Sequence, residues 1–182
     1  MGRTYLIFIL LLLISCKDSK DPRTYRLSKD KIIQSEDKVT PTKKESFTWD
    51  VPKSWIPQDK GSVRLASYKI PLLDSFADLS ITKFGGNAGG ETANVNRWRK
   101  QLKLPELTES EIKASAFMGQ SKMGNYSIYK ISNEANLNSS FLCMILPIDD
   151  STIFVKLNAT ESGIKILENE FNAFCSSFRL LK

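Results

Sequence analysis

The sequence contains no histidine. Its absence removes the commonest general base and metal ligand, and with it Ser-His-Asp and Cys-His catalysis and most zinc sites as ordinarily built. Cysteine is scarce: Cys16, Cys143 and Cys175 are the three in the chain, so the role of each has to be argued separately. The longest apolar run, residues 5–14, is too short for a bilayer, which takes about 20 residues of helix. A strong positive field is also missing where it would matter. The formal net charge is +6, but residues 17–44 carry nine Lys/Arg against five Asp/Glu, and residues 45–182 carry sixteen against fifteen. A nearly neutral domain lacks the basic face that nucleic-acid binding requires, so no nucleic-acid partner is expected.

What is present begins at the N-terminus. Arg3 followed by the apolar run of residues 5–14 has the layout of a bacterial export signal. The run ends in Leu13-Ile14-Ser15-Cys16, which resembles the lipobox of bacterial lipoproteins, with Cys16 at the position that receives the lipid and becomes the new N-terminus. The resemblance implies a thioether-linked diacylglycerol plus an amide-linked chain, enough acyl anchors for stable membrane attachment. Residues 1–15 are therefore expected to be a lipoprotein signal peptide, residues 16–44 the lipidated cysteine and a flexible tether, and residues 45–182 a single globular domain. The tether is polar, mixed in charge and poor in large apolar side chains, so it cannot bury enough surface to offset the cost of ordering. The expected location is the bacterial cell envelope, lipid-anchored at the outer membrane or a periplasmic face.

Periodicity assigns the elements of the domain. Phe47, Trp49 and Val51 alternate with polar residues, which predicts a half-buried strand ended by Pro52. A turn then brings Trp55 back beside it. Residues 63–70 and 79–84 predict two further strands. After the glycine-rich stretch of residues 85–90, a helix is expected over residues 91–102, with Val95, Trp98 and Leu102 on one side and Arg97, Arg99 and Lys100 elsewhere. Thr108-Glu-Ser-Glu111 matches a capping box and predicts a short helix. Residues 114–118 and 126–132 read as strands, and residues 141–146, apolar on both faces, as a central strand. A turn over residues 147–151 leads to its partner, residues 153–157. Finally Ile164, Leu167, Phe171, Phe174 and Phe178 recur at spacings of three and four, a helix over residues 161–178 with Thr160 or Ser162 as its N-cap. The expected class is α+β: a mostly antiparallel sheet with helices packed on it.

Few motifs suggest chemistry. Gly85, Gly86, Asn87, Gly89 and Gly90 precede a helix N-terminus, where backbone N–H groups can approach an anion and Arg97 or Arg99 can add side-chain charge. The spacing fits neither G-x-G-x-x-G nor the P-loop; the alternative is a sharply bent connection whose glycines supply positive φ. Ser80-Ile-Thr-Lys83 has S-x-x-K spacing, but an offset of three on a strand places Ser80 and Lys83 on opposite faces, and the companion K-T-G and S-D-N motifs are absent. Asp149-Asp150 reads as a turn. Cys143 on the central strand and Cys175 on the last helix are either a disulfide formed in an oxidising compartment or two buried thiols, and the sequence leaves both open. No catalytic residue, metal set or cofactor is expected.

Three phrases carry a resemblance. They are Thr48-Trp49-Asp50-Val51-Pro52-Lys53-Ser54-Trp55, Val63-Arg64-Leu65-Ala66-Ser67-Tyr68, and the stretch from Gly85 through Ala93-Asn94-Val95-Asn96-Arg97-Trp98-Arg99-Lys100-Gln101. Together the chain resembles uncharacterised bacterial envelope lipoproteins that share these phrases, a group that brings no established activity and no catalytic residues. The strand-Val-Pro-x-x-Trp opening and the element order are also similar to PsbP-like folds, an antiparallel sheet between helices. That resemblance implies binding or assisting rather than catalysis. The expectation is a non-catalytic envelope protein that holds a protein or envelope component through the face bearing the glycine loop; the alternative is a small-anion or small-ligand module using residues 85–90 with Arg97 or Arg99.

Overall fold

The structure, a computed structural model, describes residues 47–181. The expected signal peptide, the lipidation site Cys16 and the tether through residue 44 lie outside the described residues. Seven strands form one antiparallel sheet: β2 (Ile56–Gln58), β3 (Arg64–Pro71), β4 (Phe76–Gly85), β5 (Phe117–Ser121), β6 (Gly124–Asn133), β7 (Asn136–Ile148) and β8 (Ser151–Ala159). Their spatial order is β2-β3-β4-β8-β7-β6-β5. Two short terminal strands, β1 (Phe47–Thr48) and β9 (Arg179–Leu180), pair separately. Three helices complete the α+β fold: α1 (Glu91–Gln101), α2 (Glu109–Ser115) and α3 (Glu161–Ser176).

Alternation along the strands sends one set of apolar residues to each side of the sheet. Leu79, Ile81, Leu142, Met144, Val155 and Leu157 face α3, whose Ile164, Leu167, Phe171 and Phe174 are all buried against them. Thr160 caps that helix by accepting from the Gly163 N–H at 3.1 Å, as the sequence reading allowed. Each large apolar side chain removed from water here contributes about 1.5–3 kcal/mol. Tyr129, Ile131, Phe141, Cys143, Ile145 and Phe154 face the other way, under Val95, Trp98 and Leu102 of α1 and Ile112 of α2. Central strands β7 and β8 are thus apolar on both faces because both faces are covered.

The first strand is shorter than the alternation of Phe47, Trp49 and Val51 predicts. β1 stops at Thr48, and Trp49 leaves the strand to stack on Phe178, centroids 5.3 Å apart. Trp49 Nε1 also donates to the Tyr68 hydroxyl at 3.1 Å. Trp55 sits 4.7 Å from Phe174, so the Val-Pro-x-x-Trp turn anchors on α3 and β3, whose Phe174 and Tyr68 also contact Trp49. Four strands, not three, precede α1, because β2 follows Trp55. Residues 114 and 115, expected in a strand, close α2 instead, and β5 begins at Phe117.

Candidate functional site

The glycine stretch is a braced bend. Gly86, Gly89 and Gly90 have φ of 61°, 88° and 84°, conformations that favour glycine. Its amides are engaged: Gly86 N–H donates to the Asp150 carbonyl at 2.6 Å, Gly90 N–H to the Asn87 carbonyl at 2.8 Å, and Gly89 N–H to Asn87 Oδ1 at 3.2 Å. Thr152 Oγ1 donates to the Gly86 carbonyl at 2.8 Å. Asn94, buried on α1, donates through Nδ2 to the carbonyls of Ala88 at 3.0 Å and Gly90 at 2.7 Å. Of the two roles considered for these glycines, the bend is what the backbone displays, and three loop amides are already spoken for within the protein.

Arg97 and Arg99 part company. Two residues on a helix are roughly 200° apart around its axis. Arg97 Nη1 donates to Asn94 Oδ1 at 2.7 Å beside the loop, whereas Arg99 Nε donates to the Pro105 carbonyl at 2.8 Å and braces the connection to α2. Arg97 alone of the pair reaches a cleft.

That cleft is composed by strand register. On the α1 side of the sheet, cross-strand pairing aligns Ser67, Ser80, Lys156 and Cys143 in one row and Arg64, Thr82, Phe154 and Ile145 in the next. Each row changes from polar to apolar across β8. Helix α1 lies on the apolar end, and at the other end Arg64, Asp78, Phe76 and Ile56 stay exposed. Where α1 meets this boundary lies a cleft of about 360 Å³. Ser80, Thr82, Phe84 and Lys156 line it from the strands; Arg97 and Trp98 line it from the helix.

Its electrostatics are one-sided. The Lys156 ammonium is held by Gln101 Oε1 and stands 3.7 Å over the Phe141 ring. Burial pushes Lys156 below its ordinary value, against the weaker pull of Cys143 and Asp78. Among the described residues neither Arg97 nor Lys156 forms an ion pair, and no carboxylate lines the cleft. A second hollow of about 420 Å³ on the far side of the loop has the opposite character, with Glu91 and Asp149 on its wall. No group of three His, Cys, Asp or Glu suited to a metal occurs among the described residues.

The remaining candidates separate. Cys143 and Cys175 are both free and buried, Cys143 in the layer beneath α1 and Cys175 in the layer beneath α3. With the sheet between those layers, the arrangement is that of two thiols. Ser80 faces the cleft while Lys83 reaches toward the Phe47 ring, 5.7 Å from its centroid on the other face. The Asp149-Asp150 pair forms the β7–β8 turn. Thr82, Asn94 and Lys156 were not singled out by sequence, and Ser80 was considered only in the S-x-x-K spacing that was set aside. One signal was available: Lys156 is the lone charge in the apolar strand Ile-Phe-Val-Lys-Leu of residues 153–157.

No helix among the described residues is long and apolar enough to cross a membrane. No protein-family model matches the chain, and no curated protein sequence matches it. Solved structures do. The solution structure of cyanobacterial PsbP (CyanoP) from Synechocystis is similar over 76% of this chain and 89% of that one, at 16% identity and a TM-score of 0.50. A crystal structure from Bacteroides thetaiotaomicron aligns with 75% of this chain and 45% of its own, at 15% identity and a TM-score of 0.46. LpqN, involved in cell envelope biogenesis of Mycobacterium tuberculosis, aligns with 75% of this chain and 83% of its own, at 14% identity and a TM-score of 0.43. The fold is PsbP-like.

Proposed function

We propose that the chain is a lipid-anchored accessory protein of the bacterial cell envelope that works by binding a protein or other envelope component, not by catalysis. The observation that carries this reading is the half of the sheet face that α1 leaves uncovered. Phe76 and Phe84 are exposed there, 55% and 45% accessible, among Arg64, Lys69 and Arg97. Aromatic side chains and arginine on one surface are the composition enriched at interfaces. Lys69 stands 3.6 Å over the Phe76 ring, which holds both side chains in place without a partner. Lipid on Cys16 would keep the domain at a membrane, with residues 17–44 as the spacer.

Two experiments test the two halves of the reading. Radiolabelled palmitate should enter the wild-type protein and not Cys16→Ala; equal labelling of both would remove the anchor. Crosslinking and co-purification from native membranes should recover a partner with the wild type that is lost from Phe76→Glu/Phe84→Glu, both exposed positions. Recovery of the same partner by the double variant would remove the docking surface.

A further inference from the structure

We propose that the cleft between α1 and strands β4 and β8 is a binding site for a small organic anion, a flat apolar body carrying one oxyanion head, with Arg97 and Lys156 as its cationic ligands. The two cations share one cleft and neither is neutralised. Each is positioned by neutral groups instead, Arg97 by the buried Asn94 and Lys156 by Gln101 and the Phe141 face. Such partners fix a cation in place and leave its charge for an incoming oxyanion. Asp78, on the same face of β4, is paired with Arg64 at 3.7 Å and does not line the cleft.

Hydroxyls and rings complete the site. Ser80 and Thr82 project into it from alternate positions on β4, each available to donate to the same head group. Beside them, Phe154 meets Trp98 edge-on at 6.1 Å and Phe84 at 6.0 Å, which gives the cleft an aromatic corner. A volume of about 360 Å³ falls in the range of small-molecule sites, which pair apolar walls with a few placed polar groups. The loop amides take no part, so this is a different site from an anion cradle at the glycines. It shares Phe84 and Arg97 with the partner surface, yet a free acid can fill it whether or not a macromolecule docks there.

Calorimetry on the full-length protein, with three probes, tests the assignment. These are 3-phenylpropionate, phenyl phosphate and the neutral 3-phenylpropionamide; which acid binds tighter tells a carboxylate head from a phosphate head. At least one acid should bind with a submillimolar dissociation constant, and the amide about tenfold or more weakly. Arg97→Gln and Lys156→Met should each weaken the acid by about tenfold, while Arg99→Gln leaves it unchanged. Arg97 is exposed, so its variant folds even if Lys156→Met does not. Failure of both acids to bind, equal binding of acid and amide, or wild-type binding by Arg97→Gln would overturn the proposal.

Discussion

Asn94 is the side chain on which the loop, the helix and the cleft converge. It ties down two loop carbonyls and holds the Arg97 guanidinium, and it does so from a buried position. Asn94→Ala removes these bonds and leaves the Ala88 carbonyl without its donor, while the Gly90 carbonyl keeps the backbone N–H of residue 94 at 3.3 Å, a loss of about 1–3 kcal/mol. Urea denaturation should show it, together with faster amide exchange confined to residues 86–90. Unchanged exchange there would mean the loop is held by the bonds of Gly86, Asn87 and Thr152 without Asn94. Sequence reading found Arg97 but paired it with Arg99, because neighbours in sequence look like neighbours in space. The helix turns them apart. It missed Lys156 and Thr82, and weighed Ser80 only against Lys83, for the complementary reason: strand register joins positions far apart along the chain, and no local pattern announces which strands will pair.

Elements whose signals are local were legible. The Thr108 capping box forms as expected, with Glu111 N–H donating to Thr108 Oγ1 at 3.3 Å and Thr108 N–H to Glu111 Oε2 at 2.8 Å. Of the five-residue apolar stripe, Ile164, Leu167, Phe171 and Phe174 lie on α3 and Phe178 follows its C-cap, because the helix ends at Ser176 and not at 178 as expected; all five are buried. Elements defined by distant partners were read less well. The expected first strand forms but is cut to Phe47 and Thr48, the residues that meet Leu180 and Arg179 from the opposite end of the domain, and the three residues of β2 are all exposed, so burial leaves no period to read. The end of α1 offers a test of local chemistry. Leu104 N–H reaches the Arg99 carbonyl and Lys103 N–H the Lys100 carbonyl, both at 3.0 Å, a Schellman closure with Lys103 at φ 58° where glycine is favoured. Lys103→Gly should therefore stabilise the domain, by up to about 1 kcal/mol. A fall in the denaturation midpoint would show that the Lys103 side chain contributes more than its backbone costs.

At the scale of the whole molecule, one sheet is shared by two dissimilar layers. α3 seals one face, whereas α1 and α2 seal only the apolar end of the other. The buried thiols give the sealed parts a pH signature. Burial raises Cys143 and Cys175 above the ordinary 9.0, and raises Tyr126 and Tyr129 above 10.0. Groups raised on folding hold their protons longer in the folded chain than in the unfolded one. Their contribution is complete below the unfolded values and is lost as pH rises through the alkaline range. The lowered Lys156 acts in the opposite sense, and the raised, exposed Lys113 in the same sense as the four. Denaturation midpoints should fall from about pH 8.5 upward, and Cys143→Ala/Cys175→Ala should flatten that fall whatever it does to the neutral-pH midpoint. An equally steep fall in the double variant would assign the effect elsewhere.

The uncovered half-face is the claim on which the functional account turns, and photocrosslinking in native membranes tests it directly. A p-benzoylphenylalanine at Phe76 or at Phe84 changes an exposed ring for a larger one; the same probe at the exposed Ala173 of α3 reports on the opposite layer. The account predicts one discrete adduct shared by Phe76 and Phe84 and absent from Ala173. No adduct from the sheet face, or the same adduct from Ala173, would contradict it.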